Sequence, residues 1–222
     1  MKIGVIGAGK LASALARRLV AGGHDVMISN SRGIEGVRDI AAQIGCQPGS
    51  AADAARFGEI VVVSIPLKDF GSLPIEAIGD KIVIDTGNYY PNREGVRPEF
   101  ENGLETTSGY LQKLLPQARV VKAYNSILAS HLAAGGAAIA GARHALPIAS
   151  DDAAAAELVE DIVRDTGLDP VNAGTLADSW KFERARPVYC RPLNAAELRT
   201  GLDRTQRSDF VAEGSWSVKP AA

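Results

Sequence analysis

Two glycines near the N-terminus are spaced so that a backbone turn can approach a diphosphate. The run GAGKLA begins at Gly7, follows a short apolar segment and fits the pattern G-x-G-x-x-A. Gly7 allows a tight turn, Gly9 lets the main chain come close to a pyrophosphate, and Ala12 permits close helix packing. Lys10 and Leu11 are expected to contribute mainly backbone N–H groups, because unpaired N–H groups point outward where a helix begins. The turn therefore predicts a dinucleotide-binding site.

The second predicted strand ends in polar and cationic residues where an acidic residue would select NAD. Asn30, Ser31 and Arg32 follow this strand. A carboxylate there would accept hydrogen bonds from the ribose hydroxyls, whereas a guanidinium binds phosphate oxygens in a bidentate manner. The Ser31 hydroxyl and the Asn30 amide can also donate, and Arg38 can assist. We therefore predict NADP(H) as the cofactor; the alternative is that Ser31 and Arg32 belong to an ordinary surface loop.

Three further strand ends are predicted to border the same cleft, because ligands of open α/β sheets lie at the carboxyl ends of the strands. We expect the first to line the nicotinamide ribose, and the asparagines of the other two to hydrogen-bond the carboxamide or a substrate ring. Both asparagines also suit tight turns, so a turn role is the alternative. These candidates are Ser64, Ile65, Pro66, Asn88 and Asn125.

Apolar, β-branched runs alternate with helical patterns along the first part of the chain. Leucines at intervals of four give a helix over Lys10–Ala21 one apolar face, and the run from Ile60 to Val63 is typical of a central strand. This alternation predicts an α/β fold of the Rossmann type with a doubly wound parallel sheet. We expect an NADP-binding domain over residues 1–130 and a small C-terminal α/β extension over residues 131–222, packed on the same domain.

Five local expectations concern the connections and the C-terminal part. Asp151 or Asp152 is expected to cap a helix that ends at Asp165. The final stretch, residues 207–222, has weak periodicity and is expected to be partly loose. The other expected elements are a helix from Gly33 to Ile44, a turn over residues 47–50 and a helix from Leu176 to Glu183.

The bulk composition excludes several classes of partner. The 222 residues carry a formal net charge of −2, which predicts neither a nucleic-acid surface nor binding to an anionic membrane. No segment approaches the ~18 apolar residues that span a bilayer, and no signal peptide is evident. Cys46 and Cys190 match no metal or redox spacing. We therefore expect a cytoplasmic protein without a metal, whose partner is a small-molecule redox acceptor.

These motifs resemble those of the NADP oxidoreductases related to coenzyme F420 (deazaflavin)-dependent NADP reductase. The resemblance is carried by the glycine turn, the Ser31-Arg32 pair, the Ile65-Pro66 pair and the run VKAYN that ends at Asn125. The cytosolic NADPH-oxidoreductase domain of the six-transmembrane ferric reductases is similar too, around residues 85–91 and 120–128. The resemblance implies a homodimeric Rossmann protein that transfers a hydride between NADPH and a flavin or deazaflavin ring.

The resemblance also implies roles for individual residues. It assigns the pyrophosphate to Gly7 and Gly9, the 2′-phosphate to Ser31 and Arg32, and the border of the nicotinamide and its acceptor to Ile65, Pro66 and Asn125. Two differences from the deazaflavin enzymes leave the identity of the acceptor open. The glycine turn lacks the threonine of the deazaflavin enzymes, and the C-terminal part matches their acceptor pocket poorly.

The reaction itself leaves three possibilities. Hydride transfer between stacked rings needs no acid–base side chain, and the sequence indicates no catalytic residue. An NADPH-dependent reductase of a small carbonyl or imine would need a proton donor, for which Tyr89, Lys122 and His131 are the candidates. A non-catalytic NADP(H)-binding redox sensor is the third possibility.

Overall fold

The structure, a computed structural model, describes residues 1–137, 139 and 141–217. Its strands are β1 (Lys2–Ile6), β2 (Asp25–Ser29), β3 (Gln47–Gly49), β4 (Ile60–Val63), β5 (Ile82–Asp85), β6 (Arg119–Lys122), β7 (Ala145–Ser150) and β8 (Asp169–Asn172). They form one eight-stranded sheet in the order β3-β2-β1-β4-β5-β6-β7-β8. The Rossmann-type α/β fold predicted from the sequence is confirmed.

Helices cover both faces of this sheet. The helices are α1 (Lys10–Ala21), α2 (Arg38–Ile44), α3 (Ala51–Phe57), α4 (Ile75–Ile78), α5 (Pro91–Glu94), α6 (Pro98–Glu101), α7 (Thr107–Leu114), α8 (Ala129–Ala133), α9 (Ala153–Asp165) and α10 (Ala195–Arg204). Short 3₁₀ helices cover Leu67–Ser72, Leu176–Phe182 and Ser215–Ser217. Buried side chains of α1, α2 and α9 belong to one apolar core and those of α3 and α7 to another, so the sheet separates two apolar layers.

The chain changes direction across the sheet at β1. This strand pairs in parallel with β2 on one side and with β4 on the other, so that Ile6 lies opposite both Ser29 and Val63. Because the connections on the two sides of β1 run away from each other, a crevice opens beyond its carboxyl end. The topology therefore places a ligand site directly after Ile6, where the glycine turn lies.

One strand pair, where the C-terminal extension joins the predicted parallel sheet, is antiparallel. Strand β7 pairs antiparallel with β6, with Lys122 opposite Ala149, and β8 then pairs in parallel with β7. The connection into β7 contains only the short helix α8, which packs on α1. The chain therefore enters β7 from the carboxyl end of β6 instead of crossing back over the sheet. The C-terminal residues thus extend the same sheet.

Three local predictions, on a helix start, a turn and a helix cap, can be compared with the structure. Residues 31–37 form turns, so the predicted helix start at Gly33 is wrong and α2 begins at Arg38. The predicted turn at residues 47–50 contains the edge strand β3, where Pro48 is tolerated because an edge strand leaves one side unpaired. The Asp152 carboxylate caps α9 by accepting a hydrogen bond from the Ala155 amide at 2.9 Å.

The remaining C-terminal predictions have mixed outcomes. The helix expected from Leu176 is a 3₁₀ helix that ends at Phe182, and α10 was not predicted. The stretch expected to be loose is held by hydrogen bonds as far as residue 215, and its last five residues lie outside the described part. Among the described residues, no helix is both long enough and apolar enough to cross a lipid bilayer.

Candidate functional site

A cleft of about 980 Å³ lies at the carboxyl ends of the central strands. One end is formed by the glycine turn and the loop after β2, and the other by the ends of β5 and β6 together with C-terminal residues. The predicted cofactor-binding residues that line it are Gly7, Gly9, Lys10, Leu11, Asn30, Ser31, Arg32, Ser64, Ile65, Pro66, Asn88 and Asn125. The structure therefore brings every predicted cofactor-binding residue into one cleft.

The glycine turn leaves the start of α1 open to the cleft. Gly7 has a φ of +123°, which L side chains rarely adopt, and a Cβ there would lie 2.2 Å from the Ser64 carbonyl oxygen. Gly9 is the N-cap of α1, no side chain caps the helix, and a Cβ on Gly9 would meet nothing within 4 Å. The first N–H groups of α1 and the positive end of its dipole thus remain available to an anion. A diphosphate fits this arrangement.

The loop after β2 presents a free guanidinium. The Asn30 side chain donates to the Gly36 carbonyl oxygen at 2.8 Å and accepts from the Arg32 amide at 2.9 Å. Asn30 therefore shapes the loop, while the exposed Ser31 and Arg32 side chains border the cleft. The Arg32 guanidinium has no hydrogen bond or ion pair with any residue that the structure describes. Arg38, in contrast, pairs with Glu35 at 2.5 Å and does not line the cleft.

Two asparagines close the opposite end of the cleft. The Asn88 amide donates to the Asn125 carbonyl oxygen at 2.8 Å, and the Asn125 amide donates to Asn88 Oδ1 at 3.1 Å and to the Phe182 carbonyl oxygen at 3.0 Å. These bonds fix which way the Asn125 side chain faces. Its Oδ1 atom is buried and accepts no hydrogen bond from the residues described. A buried acceptor without a donor costs free energy unless a ligand supplies one.

A buried ion-pair network supports the turn that carries Asn88. Lys122 is fully buried; its Nζ lies 3.2 Å from Asp85 Oδ2 and donates to the Gly87 carbonyl oxygen at 2.6 Å. Asp85 also accepts from the Gly87 amide at 2.8 Å and from the Ser108 hydroxyl at 2.6 Å. Lys122 therefore holds the Gly87-Asn88 turn in place from below and does not reach the cleft.

The three proton-donor candidates are not brought into the cleft. Besides the buried Lys122, the Tyr89 hydroxyl is engaged with the Gly95 carbonyl oxygen and the Arg97 amide. His131 packs edge-on to His144 and does not line the cleft. The polar and aromatic side chains that line the cleft therefore belong to residues other than these three candidates.

The site residues predicted from the sequence did not include the aromatic residues at this end. Tyr90, Tyr189 and Trp216 line the cleft, and the Tyr90 and Tyr189 hydroxyls are 2.8 Å apart. Burial raises the pKa of Tyr189 well above its usual range, so this phenol stays protonated. Cys190 beside it is buried, and desolvation raises the pKa of its thiol to about 12. The sequence offered one local indication, because Tyr90 follows closely after the predicted site residue Asn88. Nothing in the sequence connects Tyr189 or Trp216 to the cleft.

Comparison with known sequences supports an oxidoreductase relationship. Residues 2–89 match the family described as NADP oxidoreductase coenzyme F420-dependent. The chain is 30% identical over 195 residues to Metalloreductase STEAP3 of Rattus norvegicus, a match that covers 86% of this chain and 37% of that protein. It is also 39% identical over 56 residues to the Escherichia coli K12 protein YjhV, covering 25% of this chain and 41% of YjhV. Each match therefore covers about two fifths of the relative's own length.

Solved structures share the fold over most of the chain. The hypothetical protein SMa0349 from Sinorhizobium meliloti superposes with a TM-score of 0.76 at 27% identity, covering 87% of this chain and 95% of that one. An Arthrobacter sp. FB24 protein assigned as an F420-dependent NADP-reductase gives a TM-score of 0.69 at 24% identity, covering 81% and 87%. Residues 2–89 thus match NADP oxidoreductases described as coenzyme F420-dependent, and the structural likenesses show that the Rossmann-type fold extends over most of the rest of the chain.

Proposed function

We propose that this chain transfers a hydride between NADPH and a flavin or deazaflavin (F420-like) acceptor. The observation that carries the proposal is the Asn125 Oδ1 atom, an unsatisfied acceptor at the end of the cleft opposite the glycine turn. A nicotinamide carboxamide carries the NH₂ donor that this atom lacks. An extended dinucleotide with its diphosphate at the start of α1 would place the nicotinamide at that end.

The chain's own groups would hold NADPH at three places. The N–H groups of residues 9–11 bind the diphosphate, and the Ser31 hydroxyl and Arg32 guanidinium bind the 2′-phosphate. Ser64, Ile65 and Pro66 border the nicotinamide ribose. This placement uses the free guanidinium and the uncapped helix, each of which otherwise has no partner in the described structure.

Catalysis then depends on distance, orientation and exclusion of water. Bound NADPH supplies the hydride. Asn125, fixed by Asn88 and the Phe182 carbonyl, sets the rotation of the nicotinamide ring, and Ile127 and Ile65 give this end of the cleft apolar walls. No general acid is required when the acceptor is itself a redox ring.

The first test is turnover. Purified protein under anaerobic conditions is expected to oxidise NADPH in the presence of riboflavin, FMN or a deazaflavin, and steady turnover would exclude a non-catalytic sensor. The absence of turnover with all three acceptors, despite measurable NADPH binding, would refute the proposal.

The second test isolates the Asn125 contact. The 3-acetylpyridine analogue of NADP⁺ lacks the carboxamide NH₂, so the wild-type protein is expected to bind it about tenfold more weakly than NADP⁺. Asn125→Ala should bind both about equally. Asn88→Ala, in which the Asn125 amide can still donate to the Phe182 carbonyl oxygen, should keep a preference for NADP⁺. Equal binding of both dinucleotides by the wild type would contradict the assigned contact.

A second candidate function is the NADPH-dependent reduction of a small carbonyl or imine. It is favoured by the Tyr90 and Tyr189 hydroxyls, which form a pair at 2.8 Å inside the cleft. Such a pair can deliver a proton to a developing alkoxide or amide. NADPH oxidation by ketones or cyclic imines without a flavin, abolished in Tyr90→Phe, would select this function over the first.

A further inference from the structure

A C-terminal segment is fastened beside the nicotinamide end of the cleft. We call residues 206–217 the C-terminal strap. The Arg186 guanidinium donates to the carbonyl oxygens of Arg207 at 2.8 Å and Asp209 at 3.0 Å, and the Val211 amide donates to the Ala185 carbonyl oxygen at 2.8 Å. Ala185 has a φ of +65°, a conformation that alanine rarely adopts. The strap is therefore held at several points along its length.

The end of the strap carries an indole into the cleft. Trp216 lines the cleft and meets the Tyr189 ring edge-on, with a centroid distance of 5.2 Å and an interplanar angle of 78°. Tyr189 in turn contacts Tyr90 through the hydroxyl pair. We call Tyr90, Tyr189 and Trp216 the aromatic wall. Its members come from three distant segments, and the strap supplies one of them.

Arg184 connects the aromatic wall to the asparagine pair. Its guanidinium lies 5.2 Å from the centroid of the Tyr90 ring and 5.8 Å from that of Trp216, and it forms an ion pair with Glu213 in the strap. Its backbone amide donates to Asn88 Oδ1 at 3.2 Å. The position of the indole is therefore coupled through a single residue to the asparagines that would hold the nicotinamide.

The charges around the aromatic wall are paired. The Arg184 guanidinium is neutralised by Glu213, and the Arg93 guanidinium, 4.6 Å from the Tyr90 ring centroid, pairs with Glu94 at 2.6 Å. The wall thus presents aromatic side chains, with the Trp216 indole lining the cleft, beside cations that already have carboxylate partners. Such a surface favours stacking with a planar ring over binding of a phosphate tail.

We propose that the aromatic wall is the acceptor subsite, that it recognises the planar isoalloxazine-type ring and not its side chain, and that Trp216 determines acceptor specificity. This inference rests on the proposed function, because it assigns the acceptor of the same cleft. Since the ring carries the recognition, riboflavin and FMN are expected to have KM values within about threefold of each other.

The test exploits the two tryptophans of the chain, Trp180 and Trp216. Trp180 stacks with the Arg186 and Arg207 guanidiniums and does not line the cleft. In the Trp180→Phe variant, the remaining indole should be quenched when riboflavin is added to the NADP⁺-saturated protein. In Trp216→Ala, the riboflavin KM should rise about tenfold or more, while the NADPH dissociation constant stays within about twofold.

Further variants distinguish a specific effect of the aromatic wall on acceptor binding from a general loss of structure. Trp216→Phe should restore most of the acceptor affinity because it keeps an aromatic face, whereas Trp180→Phe should leave the riboflavin KM unchanged. Glu213→Gln, which removes the ion pair that anchors the strap, should shift the acceptor KM in the same direction as Trp216→Ala but less.

The outcomes distinguish this inference from the proposed function. Flavin turnover with an unchanged riboflavin KM in Trp216→Ala would refute the assignment of the aromatic wall as the acceptor subsite. It would leave the proposed hydride transfer intact. Loss of NADPH binding together with flavin binding in Trp216→Ala also overturns it, because the variant would then have lost more than a subsite. No quenching of Trp216 and no turnover with any flavin overturns both proposals.

Discussion

Removal of the Arg32 guanidinium is expected to separate NADPH from NADH. In Arg32→Ala the loop backbone should survive, because the fixing contacts to Asn30 come from the residue-32 amide and the Gly36 carbonyl, not from the arginine side chain. What is lost is a cation that has no other partner in the described structure and borders the cleft. NADH lacks the 2′-phosphate, so its binding should not change.

The magnitude follows from the exposure of the side chain. A hydrogen bond to a charged group contributes about 1.5–3 kcal/mol, and Arg32 is solvent-exposed, which places the loss near the middle of that range. A loss of about 2 kcal/mol weakens NADPH binding about 30-fold. The contribution should shrink as salt concentration rises, because exposed charges are screened.

The assay is a titration of NADPH and NADH against wild type, Arg32→Ala and Arg38→Ala at two salt concentrations. Arg38→Ala is the matched control, since that guanidinium lies on the same connection but is already paired with Glu35. It should change the NADPH dissociation constant by less than about twofold. Equal weakening of NADPH and NADH in Arg32→Ala, or an unchanged NADPH affinity, would show that the 2′-phosphate is bound elsewhere.

Three other changes have distinct expected results. Gly9→Ala should keep the melting temperature but weaken NADPH binding at least about tenfold, because its Cβ is free until a diphosphate arrives, whereas Gly7→Ala should destabilise the fold itself. Lys122→Met leaves the buried Asp85 carboxylate without its cation and should lower the free energy of unfolding by about 3–5 kcal/mol. Burial and the neighbouring His131 lower the pKa of His144 from 6.5 to about 4. The unfolded chain therefore takes up this proton at a higher pH than the folded one. The full contribution of His144 to the free energy of unfolding should be present above pH 6.5, and about 3 kcal/mol of it should be lost between pH 6.5 and 4.

Denaturant unfolding and cofactor titration check these results with defined controls. The Lys122→Met/Asp85→Asn double variant should recover part of the lost stability, and no recovery would contradict the ion-pair explanation. His144→Asn keeps an acceptor for the Ala137 amide and should flatten the acid limb of the stability curve. Unchanged acid sensitivity in that variant would assign the effect to another group. A lowered melting temperature in Gly9→Ala would contradict the open space beside that residue.

The N-terminal part of the fold could be predicted from the sequence because its determinants are local. The spacing of Gly7 and Gly9, the apolar face of α1 and the polar end of β2 each act within a few residues of chain. A strand that enters a tight turn needs glycine at one defined position. Such a requirement is therefore visible in the sequence as a motif. The predicted bounds of α1 agree with the structure for the same reason.

The errors arose where distant segments decide the outcome. The direction of β7 depends on how the short α8 packs against α1, and the start of α2 depends on the loop that Asn30 closes. Neither packing arrangement leaves a periodic pattern in the sequence. Lys122 shows the same limit: this lysine within a predicted strand was a candidate proton donor, but burial against Asp85 gives it a supporting role.

The sequence by itself determined the Rossmann fold, the glycine turn at the start of α1 and the presence of an arginine in the loop after β2, both of which line the cleft. Only the tertiary structure decided that Tyr189 and Trp216 meet Tyr90 at the other end of the cleft, and that the Asn125 oxygen is left without a donor. The physical reason is that backbone turns and helix starts are set by neighbouring residues. An aromatic wall requires contacts between residues about a hundred positions apart, which no local preference encodes.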